Sequence, residues 1–177
     1  MNFAAAGLSL LIGISAAALS AQTPNSSVAS APASCPSQAT LDELIKAIDD
    51  AIDGPANKDR TCFRALFAPD ARLAPLGKSP DGSYAPHLLT VDGWIEAVAK
   101  RGNAILKEHQ VKVKTETWGH LAHLWSTYEL NVDPAGSPTI RGINSIQAFY
   151  DGKQWKVLEI LWQAESADEK VPEKYLP

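Results

Sequence analysis

The sequence predicts an α+β fold, in which a curved sheet of four long antiparallel strands, with additional short strands, packs on three helices that precede it. Three observations predict this fold. Runs rich in β-branched and aromatic residues fill 106–164 and alternate with polar residues at a period of two. Asp151-Gly152 separates the last two runs, and this dipeptide is typical of a two-residue type I′ hairpin turn. Three amphipathic stretches come earlier and can cover the apolar face of the sheet.

The first helix is predicted to begin at Thr40, because Thr40 and Glu43 form a capping-box pattern. Gly54-Pro55 is expected to end it. The acidic residues that lie mainly off its apolar face are interpreted as a solvated surface, with a metal cluster as the alternative: Asp42, Asp49, Asp50 and Asp53.

The second helix is predicted to be short and to end at Pro69, with an apolar stripe of Cys62, Phe63, Leu66 and Phe67. Short strands are expected over 70–76 and 87–90, separated by a loop rich in Ser, Pro, Asp and Gly. The third helix, capped by Thr90 or Asp92, should present Trp94 on its apolar face and end at Gly102.

The long strands are predicted over 110–117, 121–132, 141–150 and 154–163. Gly119 interrupts the alternation, which indicates a bulge or a bend there. Strands of this length twist and curl. A curled sheet backed by helices forms a cone with a mouth, so a pocket is expected.

Residues 1–21 are typical of a secretory signal with cleavage after Ala21, and a membrane anchor is the alternative. Residues 22–39 predict a flexible linker, 40–165 the folded domain, and 166–177 a polar C-terminal tail. After cleavage no stable membrane span is expected, and the protein is predicted to be periplasmic or secreted. The net charge of −4 and the lack of a basic run argue against nucleic acid as a partner.

The chain contains two cysteines, Cys35 and Cys62. In an exported protein they are expected to form a disulfide that ties the start of the first helix to the second, whereas two separate reduced thiols are the alternative. The four histidines have no Cys-x-x-Cys partner spacing, so neither a metal nor a cofactor is predicted.

The order of elements, together with FRALFAPDARL, LAHLWSTYELNV and RGINSIQAFYDGKQWKVLEILWQAE, resembles the nuclear transport factor two-like superfamily, also called the SnoaL-like or cystatin-like α+β cone. The resemblance covers about Thr40 to Glu165. It implies the fold but not the activity, because the superfamily includes isomerases, cyclases, dehydratases, epoxide hydrolases and non-enzymatic binders.

In members that resemble ketosteroid isomerase, the general-base Asp follows a stretch like 70–73. Here Ala74-Pro75-Leu76 follows, and none of these side chains can accept a proton. The resemblance therefore does not extend to that mechanism. His87 and Asp92 are the alternative candidates for a catalytic base, and they could meet at the mouth of the pocket.

Alternation along the second long strand places Ser126 and Tyr128 on the concave side, among apolar neighbours. They are predicted to be hydrogen-bonding groups that orient a ligand inside the pocket, although a core role for Tyr128 is an equal alternative. Trp94 and Trp118 are predicted to line the mouth, and Asn144 to present an amide inside; each also fits a packing role.

The opposite face of the same strand carries His123, Trp125, Thr127 and Glu129. An exposed Trp125 predicts an apolar patch and a homodimer through the outer sheet face. Three functions therefore remain open. The first is binding of a small hydrophobic ligand, the second is an isomerase, lyase or hydrolase acting on a hydrophobic carbonyl compound, and the third is a dimeric interaction module.

Overall fold

The structure, a computed structural model, describes residues 34–133 and 139–177. The predicted signal peptide and most of the predicted linker lie outside the described residues. The helices in the described ranges are α1 (Leu41–Ile52), α2 (Thr61–Ala65) and α3 (Val91–Ala99), with a short 3₁₀ turn at Glu173–Tyr175. None of these helices has the length and apolar character needed to cross a membrane.

The strands in the described ranges form one sheet: β1 (Gly54–Pro55), β2 (Phe67–Lys78), β3 (Tyr84–Pro86), β4 (Leu89–Thr90), β5 (Ile105–Trp118), β6 (Leu121–Val132), β7 (Ile140–Tyr150) and β8 (Trp155–Ala164). The order across the sheet is β1-β5-β6-β7-β8-β2-β3, and β4 also pairs with β2. The four long strands β5 to β8 form the predicted antiparallel meander. Together with the helices they confirm the α+β cone.

The sheet as a whole is mixed rather than antiparallel, because β2 pairs with β8 in parallel. This also corrects the predicted end of the second helix. Helix α2 stops at Ala65, and Phe67 already pairs with Val157 of β8. The register of β2 shifts between Phe67 and Arg72, so the strand passes through Pro69 at an irregularity, where a ladder hydrogen bond is not required.

Two turns differ in detail from the sequence prediction. The β7–β8 connection has four residues, Asp151–Gln154, rather than two, because Tyr150 pairs with Trp155. The Asp151 carboxylate accepts hydrogen bonds from the backbone N–H groups of Lys153 and Gln154, at 2.8 and 2.9 Å. Gly119, with a φ of +56°, lies in the two-residue turn between β5 and β6, which is the predicted bend.

A β-bulge at Val111 reverses the alternation along β5. Gln110 pairs with Tyr128 and Lys112 pairs with Thr127, so Val111 has no partner on β6. Directly opposite residues share a face, so even-numbered residues before the bulge face the same side as Tyr128, whereas after it odd-numbered residues do. The bulge therefore places Glu108 and Gln110 on the concave face.

The core lies between this concave face and the helices. Helix α1 begins with the predicted capping box and packs its apolar side against the sheet. Its buried residues are Leu44, Ala47, Ile48, Ala51 and Ile52. Cys35 and Cys62 form a disulfide, as predicted, which links the segment before α1 to α2.

The C-terminal residues 165–177 cross the outer face of the sheet. The Tyr175 carbonyl accepts a hydrogen bond from the Thr127 hydroxyl at 2.6 Å, and the ring of Tyr175 lies 5.9 Å from that of Trp125. Thr127 is only 1 % exposed, and Trp125 is half-buried. The tail therefore covers the middle of the face that is predicted from the sequence to form a dimer.

Candidate functional site

A cavity of about 140 Å³ opens between the concave sheet face and the three helices. Its walls are mostly apolar and include Ile48, Ile52, Phe63, Leu73, Trp94, Val98, Leu106, Leu130, Ile160 and Trp162. Arg101, an exposed residue, also borders it. For comparison, a cavity of about 150 Å³ is large enough to bind benzene. The core does not fill the cone, and a small molecule of one ring fits the remaining space.

Three polar side chains converge on this apolar cavity from three adjacent strands: Glu108 of β5, Tyr128 of β6 and Asn144 of β7. Their strand positions explain the convergence. Tyr128 is flanked by Gln110 on one side and by Gly142 on the other, and Gly142 leaves room for the Tyr128 hydroxyl. A Cβ atom at Gly142 would lie 2.7 Å from that hydroxyl oxygen.

The environment of Glu108 favours its neutral form. Burial raises the pKa of its carboxyl group from an ordinary 4.5 to about 7, and the nearby Asp49 and Asp53 add to the rise. Hydrogen bonds from Gln110 and Asn144 oppose the rise without cancelling it. Glu108 can therefore gain or lose a proton near neutral pH while it faces the cavity.

Burial also raises the pKa of the Tyr128 hydroxyl well above its ordinary value, and the neighbouring Glu108 contributes to this shift. Tyr128 is only 4 % exposed. Its hydroxyl group therefore stays protonated at every physiological pH and is available to a ligand as a hydrogen-bond donor.

The Gln110 side chain organises the polar end of the cavity. Its amide nitrogen donates to Asp49 Oδ1 at 3.1 Å and lies 3.5 Å from Glu108 Oε1. Its amide oxygen accepts from the Ser126 hydroxyl and lies 3.5 Å from Asn144 Nδ2. These contacts fix the orientation of the Gln110 amide, and its nitrogen is directed towards both Asp49 and Glu108.

Helix α1 contributes two carboxylates to this end of the site. Asp53 accepts a hydrogen bond from the backbone N–H of Glu108 at 2.8 Å, and Asp49 accepts from that of Gln110 at 3.3 Å. Both aspartates are half-buried. Their interpretation as part of a solvated face is therefore wrong, because they satisfy backbone groups of β5 beyond the end of the short strand β1.

The opposite wall is aromatic. The rings of Phe63 and Trp94 stack at 4.4 Å with an interplanar angle of 17°. The buried Arg60 guanidinium lies 5.8 Å from the Trp94 ring centroid and donates to the Ile52 carbonyl at 2.8 Å. The hydrogen bond helps to satisfy the carbonyl groups at the end of α1. The contact between the guanidinium and the Trp94 ring joins the aromatic wall to that helix.

The predicted pocket residues divide between two places. Trp94, Tyr128 and Asn144 line the cavity, and Ser126 lies behind them in contact with Gln110. Trp118 does not line it: this residue ends β5 at the hairpin and is 81 % exposed. The reason is the strand register: Trp118 pairs with Leu121, which lies on the same face of β6 as Trp125, so the Trp118 side chain is on the outer face of the sheet.

The proposed catalytic alternatives His87 and Asp92 also lie away from the cavity. Both are exposed, and the Asp92 carboxylate accepts from Arg64 at 2.6 Å. Residues 34–133 and 139–177 contain no cluster of three or more metal-ligating side chains. Glu108 is the titratable group that sequence reasoning missed, and the bulge that turns it inward has no clear signature in the sequence.

Comparison with known proteins identifies the fold. A protein of unknown function with a cystatin-like fold from Nostoc punctiforme superposes with a TM-score of 0.54 at 11% identity, covering 72% of this chain and 90% of its own. The chain has the nuclear transport factor two-like fold. A nuclear transport factor two-like protein of unknown function from Shewanella baltica gives a TM-score of 0.50 at 11% identity, covering 72% of this chain and 92% of its own.

A Kribbella flavida protein also superposes on this chain, with a TM-score of 0.53 at 12% identity, covering 71% of this chain and 88% of its own. No family model matches the sequence, and no curated protein matches it. At such low identities the similarity establishes the fold, while the function has to be inferred from the cavity itself.

Proposed function

We propose that this chain is an exported protein that binds a small, largely apolar molecule in its cone. The observation that carries the proposal is the open cavity, whose apolar walls end in Glu108, Tyr128 and Asn144. Apolar walls supply most of the binding free energy, and a few convergent polar groups fix the orientation of the ligand. A ligand with one hydrogen-bonding group at the end of an apolar body matches this distribution.

A thermal-shift screen of the disulfide-bonded protein with small aromatic and alicyclic compounds tests the proposal, and calorimetry then measures the affinity of each compound that raises Tm. Tyr128→Phe should weaken binding of the best compound about 2- to 12-fold, which corresponds to the loss of one hydrogen bond. Tyr84→Phe is the matched control, because the Tyr84 hydroxyl donates to Glu169 on the surface. If no compound class raises Tm, the binding proposal is refuted.

Export is supported by the disulfide between Cys35 and Cys62, since disulfides persist in oxidising compartments. We expect the mature protein to begin at Gln22, after cleavage behind Ala21. Fractionation of cells that express the full chain, followed by mass determination of the protein, checks this. A full-length protein retained in the cytoplasm with reduced thiols would contradict export.

The position of Glu108 favours a second candidate function, proton transfer on a hydrophobic carbonyl compound. Ionised Glu108 would take a proton from the carbon next to the carbonyl group, and the Tyr128 hydroxyl would donate a hydrogen bond to the enolate oxygen that forms. Return of the proton from Glu108 to carbon completes the cycle. A pKa of about 7 suits both proton transfers at neutral pH.

Deuterium exchange at the carbon next to the carbonyl group of cyclohexanone in D₂O, followed by NMR, tests this second candidate. Glu108→Gln should abolish any exchange above the background rate, whereas Glu116→Gln, on the exposed part of β5, should not change it. Exchange that is no faster with the wild-type protein than with Glu108→Gln would leave binding as the supported function.

A homodimer or partner complex through the outer sheet face stays a prediction. The C-terminal tail covers Thr127 and part of Trp125. Exposed apolar side chains remain towards the β5–β6 end of the sheet at Trp118, Leu121 and Leu158. Any self-association of the full chain is therefore expected to use this end of the sheet.

A further inference from the structure

Glu108 has no cationic partner within the described residues. The ion pairs formed there involve other carboxylates, such as Asp50 with Lys46 and Glu129 with Arg141. The side-chain groups that contact Glu108 are the neutral amides of Gln110 and Asn144. When it ionises, Glu108 is a half-buried carboxylate that faces the cavity, and such a charge is costly unless something pairs with it.

The charged groups around Glu108 do not fill this role. Asp49 and Asp53 approach from α1 and add negative charge. On β5, His109 points to the other face, where its Nε2 lies 3.7 Å from Glu129 Oε2. From β6 the facing group is Tyr128, which stays neutral.

Two arginines lie near the cavity, but neither forms an ion pair with Glu108. Arg60, which precedes α2, is buried behind Trp94 and donates to backbone carbonyls of α1. Arg101, which follows α3, is solvent-exposed at the border of the cavity. The polar end of the cavity therefore carries a negative potential whenever Glu108 is ionised.

The remaining walls suit a cation. Four aromatic side chains line the cavity: Phe63, Trp94, Tyr128 and Trp162. The faces of aromatic rings attract ammonium groups, and the attraction is larger where water is excluded. One half-buried carboxylate together with several aromatic rings is a chemical combination that recognises an organic ammonium ion.

We propose that the ligand of the cone carries a basic amine, whose ammonium group pairs with Glu108 while its apolar body lies against the aromatic walls. This inference rests on the proposed binding function and specifies the ligand class. The amine supplies the partner that Glu108 lacks. Carboxylate ligands should be repelled by ionised Glu108, and Asp49 and Asp53 add negative charge next to it.

The affinity for an amine should depend on pH, because the carboxyl group of Glu108 must be ionised to pair with the ammonium group. Since the pKa of Glu108 is about 7 in the free protein, an ammonium ligand has to displace a proton from it below pH 7. Affinity for an amine should therefore rise about tenfold between pH 6 and pH 8 and then level off until the amine itself loses its proton. A neutral hydrogen-bond acceptor that needs protonated Glu108 would show the opposite trend.

Calorimetry or NMR titration with benzylamine, benzyl alcohol and benzoate tests the inference, because the three probes share one ring and differ in charge. We expect benzylamine to bind at least tenfold more tightly than benzyl alcohol at pH 8, and benzoate not to bind. Glu108→Gln should remove both the preference for benzylamine and its pH dependence. Glu116→Gln is the control and should change neither, because Glu116 is exposed on β5.

The outcomes separate the two proposals. Benzyl alcohol binding as tightly as benzylamine, or benzylamine affinity that falls from pH 6 to pH 8, overturns the amine inference and leaves ligand binding in place. Unchanged benzylamine binding in Glu108→Gln also overturns it. If none of the three probes binds and the wider thermal-shift screen finds no compound, both the amine inference and the binding function are refuted.

Discussion

The carboxyl group of Glu108 couples the stability of the unliganded protein to pH. Its pKa is raised in the folded state to about 7, so between pH 4.5 and 7 the folded state holds a proton that the unfolded state releases. The contribution of Glu108 is fully favourable below pH 4.5 and is lost as the pH rises through 7. The raised pKa corresponds to at most about 3 kcal/mol of unfolding free energy.

Urea unfolding of wild type and Glu108→Gln across pH 4.5–8 measures this contribution. The unfolding free energy of the wild type should fall relative to that of Glu108→Gln as the pH increases, by up to about 3 kcal/mol. Glu116→Gln, which changes an exposed carboxylate, should track the wild type. Parallel profiles for wild type and Glu108→Gln would show that this carboxyl group has an ordinary pKa.

Gly142 shows a steric requirement of the same site. A Cβ atom there would meet the Gln163 carbonyl, the Tyr128 hydroxyl and, at 2.8 Å, the Ala164 Cα. Two of these contacts are to backbone, which moves less easily than a side chain. Gly142→Ala should therefore lower the unfolding free energy by about 1–3 kcal/mol.

Gly77→Ala in β2 is the matched control, because nothing lies within 4 Å of its added Cβ. Its effect on urea unfolding should stay within about 0.5 kcal/mol. Equal unfolding free energies for Gly142→Ala and Gly77→Ala would contradict the tight packing of Tyr128 against Gly142.

At the scale of single elements, the long strands and the first helix could be predicted because their signals are local. The alternation from Val111 to Thr117 and the capping box of Thr40 with Glu43 each span a few residues. The bulge at Val111 could not be predicted, because it is set by pairing with β6. Extending the alternation upstream of Val111 would turn Glu108 outward. For this reason the site predicted from the sequence did not include Glu108.

The parallel pairing of β2 with β8 was missed for a related reason. Arg72 and its partner Glu159 are 87 positions apart in the sequence, and no short-range pattern indicates such a contact. Pro69 also indicated the end of the second helix, which concealed the start of β2 at Phe67. Tyr128 and Asn144 were found because they lie on strands with regular alternation. Trp118 was misplaced because it pairs with Leu121, which lies on the same face of β6 as Trp125, so its side chain is on the outer face of the sheet.

The junction between α1 and β5 depends on Asp53, which accepts from the backbone N–H of Glu108 at 2.8 Å. Asp53→Ala should leave this N–H without its partner and cost about 1–3 kcal/mol of unfolding free energy. Hydrogen exchange followed by NMR should show faster exchange at the Glu108 amide in this variant. Asp42→Ala, on the exposed side of α1, is the control, and equal exchange in the two variants would contradict the role of Asp53.

At the scale of the whole molecule, different parts of the chain cover the two faces of the sheet. The helices cover the concave face incompletely and leave the cavity. The C-terminal residues cover the outer face through polar anchors near both ends of the tail. Glu169 accepts from Gln163 at 2.7 Å, and the Leu176 carbonyl accepts from Lys112 at 2.5 Å. The tail is therefore part of the folded domain rather than a loose extension.

Removal of residues 166–177 should expose apolar side chains that the tail now shields, including Trp125 and Ile143. Newly exposed apolar area on the outer sheet face favours association of two copies, so the truncated protein should self-associate more strongly than the full chain. Its tryptophan emission should also shift to longer wavelength where Trp125 meets water. Sedimentation velocity at several concentrations measures the association.

A full-length variant with Thr127→Val is the control that distinguishes loss of the tail from loss of one anchor. It removes the hydrogen bond to Tyr175 but keeps the tail, so it should self-associate less than the truncation does. Removing Trp118 by Trp118→Ser in the truncated protein separates the two apolar areas of the outer face. If that substitution abolishes the association, the β5–β6 end of the sheet is the contact; if association persists, the face uncovered by the tail is sufficient. Equal sedimentation of the full chain and the truncated protein would show that the tail does not limit contact between outer faces.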